Sequence, residues 1–442
     1  VTKSFTEGSI ARQLGLFSFP IFLANLLQAS MQLINGLWVG NLLGSAAFGA
    51  VTVSITLISV VFAFVLGMNN ATLTIFAQLR GKRNQADINA YLSTFVILLT
   101  ILSAIIGVLG YMLAAPLLIL LNTPAELLDA AEIYLKINFS GIFLLVGYNF
   151  ISTVLRAFGD SKTPLYFVLL ATILTAVLAP LFIAGLDMGI AGAASALVLA
   201  QAVAFLYSLF YLTNKFKGHA FRIQRPKIAE VKTILQLGIP SGVQMIVIYA
   251  GMTVILSLVN SLGADAVAGF GAAQRLDSIV LLPAVALGTA VNAMAAQNIG
   301  AREWRRVAQI SKVGVLYNTG IMLVAAIALF IWAEPLVKLF IRDQGSVAFG
   351  VTYLRTLAFF YPFIGLNFIF NGIVRGAGAM FQVLMLNIIS LWVLRVPLAY
   401  WATAWYDDAG VALGIGISFF ISCLVSFAYY RWGGWREKQL FG

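Results

Sequence analysis

A chain of 442 residues that is 61% hydrophobic, only 10% charged and +0.97 in mean hydropathy is not a soluble globular protein; such a protein carries about a quarter of its residues charged. The net charge of +11 and pI of 9.7 invite a nucleic-acid reading, but the basic residues sit in connections between apolar runs, so no nucleic-acid partner is expected. The lone Cys423 can make no intrachain disulfide, and no phosphate loop, zinc spacing or nucleophile triad occurs. Neither an enzyme nor a cofactor is expected.

Apolar runs long enough to cross a hydrocarbon core of about 30 Å recur along the chain. They predict about twelve helices near residues 12–38, 46–78, 90–121, 133–157, 164–184, 190–213, 233–260, 266–298, 307–332, 350–375, 380–402 and 411–431. The first run, "LGLFSFPIFLANLLQAS", lacks a small-residue cleavage pattern and reads as a retained helix and not a signal peptide. It leads into "NLLQASMQLINGLWVG", where Asn25, Gln28, Gln32 and Asn35 recur every three or four residues and so share a helical face. A helix facing only lipid has no use for such a stripe. Gln28, Gln32 and Asn35 are therefore expected to point into the protein and to bond polar residues such as Asn149 and Gln201, because unpaired amides are costly in hydrocarbon. Pro20 precedes the stripe and predicts either a moving hinge or a static kink.

The connections divide by charge. "RGKRNQAD", "RAFGDSKTP", "NKFKGHAFRIQRPKIAEVK", "GAREWRR" and "VRGAGAMF" follow even-numbered helices and are basic, as are both ends of the chain; most loop acids follow odd-numbered ones. The positive-inside rule puts the basic side, with both termini, in the cytoplasm. His219, in the longest of these connections, reads as a solvated surface residue. That connection suggests lobes of residues 1–213 and 233–442 joined by a cytoplasmic linker, 214–232.

The lobes echo each other at an offset of 219 residues. Gly44 pairs with Gly263, Gln78 with Gln297, Gly81 with Gly300, Pro116 with Pro335, Tyr134 with Tyr353, Arg156 with Arg375 and Gly159 with Gly378. Six helices per repeat start both halves on the same side, which predicts parallel repeats about an axis along the membrane normal, the outline of a secondary transporter. The 39 glycines suit close helix packing in lipid.

Most acids lie in loops or at helix ends. Asp277 in "AAQRLDSIVLLP" is the exception, and Arg395 in "SLWVLRVPLAY" is the other deep charge. An ionisable residue within a span is a functional candidate by default. The alternative is a structural ion pair of Asp277 with Arg275 or Arg395. Met31, Met68, Met245, Met252 and Met294 offer soft contacts for varied ligands, and aromatic faces could hold an organic cation.

With "FPIFLANLLQASMQLINGLWVGNLLG" opening one repeat, "LGIPSGVQMIVIYAGMTVILSLVNSLGADAVAGFG" the other, and "AQNIGARE" and "LRAFGDSKTP" between, the chain resembles the MATE transporters over nearly its whole length. The resemblance implies an all-α polytopic fold of twelve transmembrane helices in two six-helix bundles, set in the prokaryotic cytoplasmic membrane. It also implies a monomeric antiporter that exports amphiphilic or cationic compounds by alternating access, coupled to H+ or Na+. NorM-like members carry acids in helices 7 and 10; neither is acidic here, so the DinF-like branch fits better. That branch places an aspartate in helix 1 in a context matching "INGLWVG", where this chain has Asn35. Either coupling has moved elsewhere or Asn35 holds the site neutral. The alternative within the superfamily is a lipid-precursor flippase, whose pyrophosphate ligand needs more deep positive charge than Arg275 and Arg395 supply.

Overall fold

The computed structural model describes residues 4–215, 224–438 and 440–441, and its regular elements are all helical. His219 and the middle of the long basic connection lie outside the described residues. The first half holds α1 (Ile10–Leu43), α2 (Ser45–Gly81), α3 (Gln85–Met112), α4 (Ala114–Leu120), α5 (Ala125–Ser140), α6 (Ile142–Ala157), α7 (Lys162–Pro180) and α8 (Gly189–Lys215). The second holds α9 (Ile228–Asn260), α10 (Ala264–Gly300), α11 (Trp304–Lys338), α12 (Gln344–Ala358), α13 (Tyr361–Gly376), α14 (Met380–Ile388) and α15 (Val396–Trp432). π-helical stretches follow α7 (Leu181–Gly185) and α14 (Ile389–Arg395).

Among the described residues nine helices are long and apolar enough to span a bilayer, and eleven if the bent pairs α5–α6 and α12–α13 each count as one. The run Met380–Trp432 counts once there although its 53 residues would reach about 80 Å as a single helix. It doubles back instead. Asp407 breaks it with φ 47°, and beyond the break Gly414 packs on the Ala399 backbone while Ser422 Oγ meets Ser390 Oγ at 2.5 Å. Partners this far apart on either side of residue 407 define an antiparallel hairpin, so the run is long enough to cross twice, which brings the candidate spans among the described residues to the expected twelve. Large apolar side chains such as Leu120, Ile173 and Val324 are exposed, as only a lipid environment permits. The chain is an integral membrane protein.

The repeat extends to the backbone. Helix α2 (Ser45–Gly81) and α10 (Ala264–Gly300) begin and end 219 residues apart, and α3 and α11, α5 and α12, and α6 and α13 begin at the same offset. Left-handed residues recur in register: Gly44 with Gly263, Arg83 with Arg302, Gly159 with Gly378. So do the bends. The first pair turns by 48° at Gly141, and the second by 54° across Phe359 and Phe360.

Two compact units result, Leu23–Gln236 and Ser4–Phe22 with Leu237–Gly442. In the first, α2, α5 and α8 pack around Val39, Val51, Tyr134, Ala193 and Ala194, while Phe76 meets Phe95 at a tilt and Phe150 and Phe158 edge-on. In the second, α10 is the most enclosed span, packed against α13 so closely that the carbonyl of Gly288 would stand 2.6 Å from a Cβ at Gly372. Small residues at such points replace the hydrophobic drive that lipid removes.

Both leading helices change unit part-way. In α1 the change falls between Phe22 and Leu23, just after Pro20; in α9 it falls between Gln236 and Leu237, just before Pro240. Ahead of α1, the segment from Ser4 to Gly8 is clasped within the second unit. Phe5 is buried edge-on to Phe17, its amide donates to Gln297 Oε1 (3.1 Å), and its carbonyl accepts from Asn298 Nδ2 (3.1 Å) and Arg306 (2.9 Å).

Candidate functional site

The polar stripe of α1 lies in the first unit. Asn35 is 1% exposed and fully engaged: its Nδ2 donates to the Ala193 carbonyl of α8 (3.0 Å), and its Oδ1 accepts from the Tyr134 hydroxyl of α5 (3.2 Å). Gln28 Nε2 donates to the Tyr148 hydroxyl of α6 (3.4 Å), whereas the buried Gln32 Oε1 has no partner. The stripe's hydrogen-bond partners are thus tyrosines and a backbone carbonyl. Asn149 spends its amide on Leu145, one turn back in its own helix (2.9 Å), and Gln201 is buried without a hydrogen bond to the stripe. A phenol at the end of a rigid ring reaches across a helix interface where a carboxamide more readily folds onto its own backbone. Met31 is 1% exposed and packs inside the unit.

Toward the end of α6 the Arg156 guanidinium sits near Tyr148, its Nε without an acceptor. Beyond it, the turn into α7 is organised by Asp160. Its carboxylate accepts from the Thr163 amide (3.1 Å), the Thr163 hydroxyl (2.9 Å) and Lys215 Nζ (2.8 Å). Burial works to raise the Asp160 carboxyl, but Lys215 and Thr163 outweigh it and hold the group below its ordinary range.

The second unit contains the buried carboxylate. Asp277 of α10 is 7% exposed, and its Oδ1 has no hydrogen-bond partner. The Tyr361 hydroxyl of α13 is beside it, buried and also without a formed hydrogen bond, and Tyr353 of α12 and Arg395 lie within electrostatic range. No ion pair to Asp277 forms among the described residues. Arg395, on the last residue of the π-helical stretch, instead donates from Nε to Ser418 Oγ (3.2 Å) and lies over the Phe419 ring at 4.7 Å. Arg275 does not share this interior: it is exposed and turned onto Phe340, 5.7 Å from the ring centroid. Two residues along a helix is a rotation of about 200°, so an Asp and an Arg so spaced point apart.

The polar centres around Asn35 and Asp277 therefore differ in chemistry. That around Asn35 is built from an amide, a phenol and a backbone carbonyl; that around Asp277 contains a carboxyl. Among the described residues no cluster of three or more His, Cys, Asp or Glu could hold a metal ion. The tyrosines that complete both centres were not assigned from sequence, yet a signal existed: Tyr134 and Tyr353 are a repeat pair, and one touches Asn35 while the other faces Asp277. Glu230 was missed as well. It is buried, accepts from Thr94 Oγ1 at 2.6 Å, and had been assigned to the linker.

The MatE family description matches residues 20–181 and 240–401, one copy per repeat. The chain is 54% identical over 438 residues to the probable multidrug resistance protein YpnP of Bacillus subtilis, covering 99% of this chain and 98% of that one. It is 23% identical to the probable multidrug resistance protein NorM of Thermotoga maritima, over 72% of this chain and 70% of the relative. Its fold matches the crystal structure of an aspartate-to-asparagine mutant of the Vibrio cholerae MATE transporter VcmN, with a TM-score of 0.92, 20% identity and 98% of each chain covered. Two copies of the family's signature, in register with a repeat that reaches down to matched backbone turns, place the chain in the MatE family of multidrug and toxic compound extrusion transporters.

Proposed function

We propose that this protein exports amphiphilic or cationic small molecules from the cell by alternating access, driven by an ion gradient. The observation that carries the reading is the near full-length likeness to a probable multidrug resistance protein at 54% identity. The distribution of acids supports the DinF-like branch, since α9 beyond Leu237 and α13 carry none. The basic character of the even-numbered connections supports cytoplasmic termini in a prokaryotic cytoplasmic membrane. Lobes of 1–213 and 233–442 and a monomeric state complete the reading.

Asn35 retains the shape of an aspartate but cannot release a proton. Its role is that of a fixed neutral bond between α1, α5 and α8, and Gln28 and Gln32 are the stripe residues left to meet a ligand. The ion is then handled elsewhere, and Pro20 serves as the flexing point of α1. Expression in a pump-deficient bacterial host, with accumulation of cationic, neutral and anionic dyes measured against empty vector, tests the export. Lower accumulation of cationic dyes supports it; unchanged accumulation of every dye by a membrane-inserted protein contradicts it.

A further inference from the structure

We propose that Asp277 and Arg395 form a proton-dependent switch inside the second unit, with Arg395 alternating between two resting places; the proposal rests on the ion-coupled export reading. In the conformation seen, Arg395 is held by Ser418 Oγ and the Phe419 face, while the Asp277 carboxyl within its electrostatic range has an oxygen with no donor. A buried ionised carboxylate next to a guanidinium would be expected to pair with it, because an unpaired charge out of water is among the costliest states a side chain can adopt. The arrangement fits a neutral, protonated Asp277. A proton on the carboxyl removes the need for a counter-charge, and the guanidinium settles on an aromatic face and a hydroxyl, which suit a cation.

The groups facing Asp277 agree with two states. Tyr361 from α13 and Tyr353 from α12 carry hydroxyls able to donate to a carboxylate, and Arg395 is the one cation among the described residues acting on it. Arg275, on the same helix as Asp277, is turned away onto Phe340. When Asp277 gives its proton to water, Arg395 leaves Phe419 and pairs with it; when the proton returns, the pair opens. No bond other than O–H forms or breaks. Arg395 ends a π-helical stretch and is followed by Val396 and Pro397, so the local backbone is already off the regular ladder where the side chain must swing. π-helical turns often mark functional sites for this reason. One proton thereby changes how the span carrying Arg395 is tied to α10, which is the differential interaction that a conformational cycle requires.

The test uses the full chain in nanodiscs and proteoliposomes. Infrared difference spectra between acid and alkaline pH are expected to show a protonated carboxyl band that Asp277→Asn removes. Imposed pH gradients are expected to drive dye movement by the wild type and not by Asp277→Asn. Arg395→Gln is expected to move the midpoint of the pH profile upward by about one unit, Arg395→Lys to restore most of it, and Asp277→Asn/Arg395→Gln to behave as Asp277→Asn alone. The Arg395 variants keep the proposal testable if Asp277→Asn does not fold. Gradient-driven transport by folded Asp277→Asn at the wild-type rate overturns the switch and leaves export standing. So does a sodium gradient driving transport with no carboxyl band. An Asp277-dependent band in a protein that moves no dye overturns the export reading and leaves the switch standing.

Discussion

Replacing Asn35 by aspartate changes one atom and should make the first unit sensitive to pH. The present amide donates to the Ala193 carbonyl at 3.0 Å and accepts from Tyr134 at 3.2 Å, with the side chain 1% exposed. A protonated aspartic acid can reproduce both bonds, its O–H serving Ala193 and its carbonyl oxygen serving Tyr134. An ionised one keeps the Tyr134 bond but presents an anion to a carbonyl oxygen about where the amide nitrogen now lies. Losing the bond and stranding a buried carbonyl costs about 1–3 kcal/mol, and the oxygen–oxygen repulsion adds to it, giving about 2–4 kcal/mol between the two forms. At 1.4 kcal/mol per tenfold change, the lower end is already a population ratio of roughly thirty. Unfolding of Asn35→Asp in nanodiscs, followed from pH 3 to 9, should track the wild type below the unfolded carboxyl value of about 3.9, fall away as pH rises above it and then level off. Asn35→Leu should lose stability equally at every pH. An Asn35→Asp profile parallel to the wild type across that range would refute the assignment of these hydrogen bonds.

Other expectations follow from single contacts. Because the Asp160 carboxyl is depressed, its contribution is present above the unfolded value of about 3.9 and is lost as pH falls through the folded value; Asp160→Ala should remove that acid-side loss and cost about 1–2 kcal/mol through the uncapped Thr163 amide, read by unfolding at pH 3 to 7. Arg306→Ala removes donors to Phe5, Gly8 and Asn298 and should cost about 1–3 kcal/mol, with faster amide exchange confined to the segment around residues 4–8. Gly414→Ala places a Cβ 2.5 Å from the Ala399 Cα and should destabilise the α15 hairpin by about 1–3 kcal/mol. Gly271→Ala meets nothing within 4 Å and should be neutral or gain a few tenths to about 1 kcal/mol; equal effects of the two substitutions would contradict the packing described.

The spans were legible because a bilayer demands about twenty apolar residues whatever the fold, and the repeat because its markers are glycines, prolines and charges fixed in register. What sequence did not supply was contact across the interior. Asn35 meets Tyr134 at a separation of 99 residues and Ala193 at 158, and no local pattern announces either. Sequence left Arg275 and Arg395 open as partners of Asp277; helical rotation turns Arg275 away onto Phe340, and Arg395 bonds Ser418 instead. The bend at Gly141 carries no proline to betray it; a Cβ there would lie 2.6 Å from Val198, so the glycine marks a close approach between helices. The transfer of the start of α1 to the second unit was hidden for a similar reason. Its anchors, Gln297, Asn298 and Arg306, lie almost 300 residues downstream.

The account turns on whether ligand and proton movements are linked through Asp277. Proteoliposomes containing the purified chain and an internal pH indicator can be given a gradient of a cationic dye with no imposed pH difference. Dye moving down its gradient should then drive protons the opposite way in the wild type, and the proton signal should be lost in Asp277→Asn. Dye movement without any proton flux in the wild type, or an undiminished flux in Asp277→Asn, would contradict it.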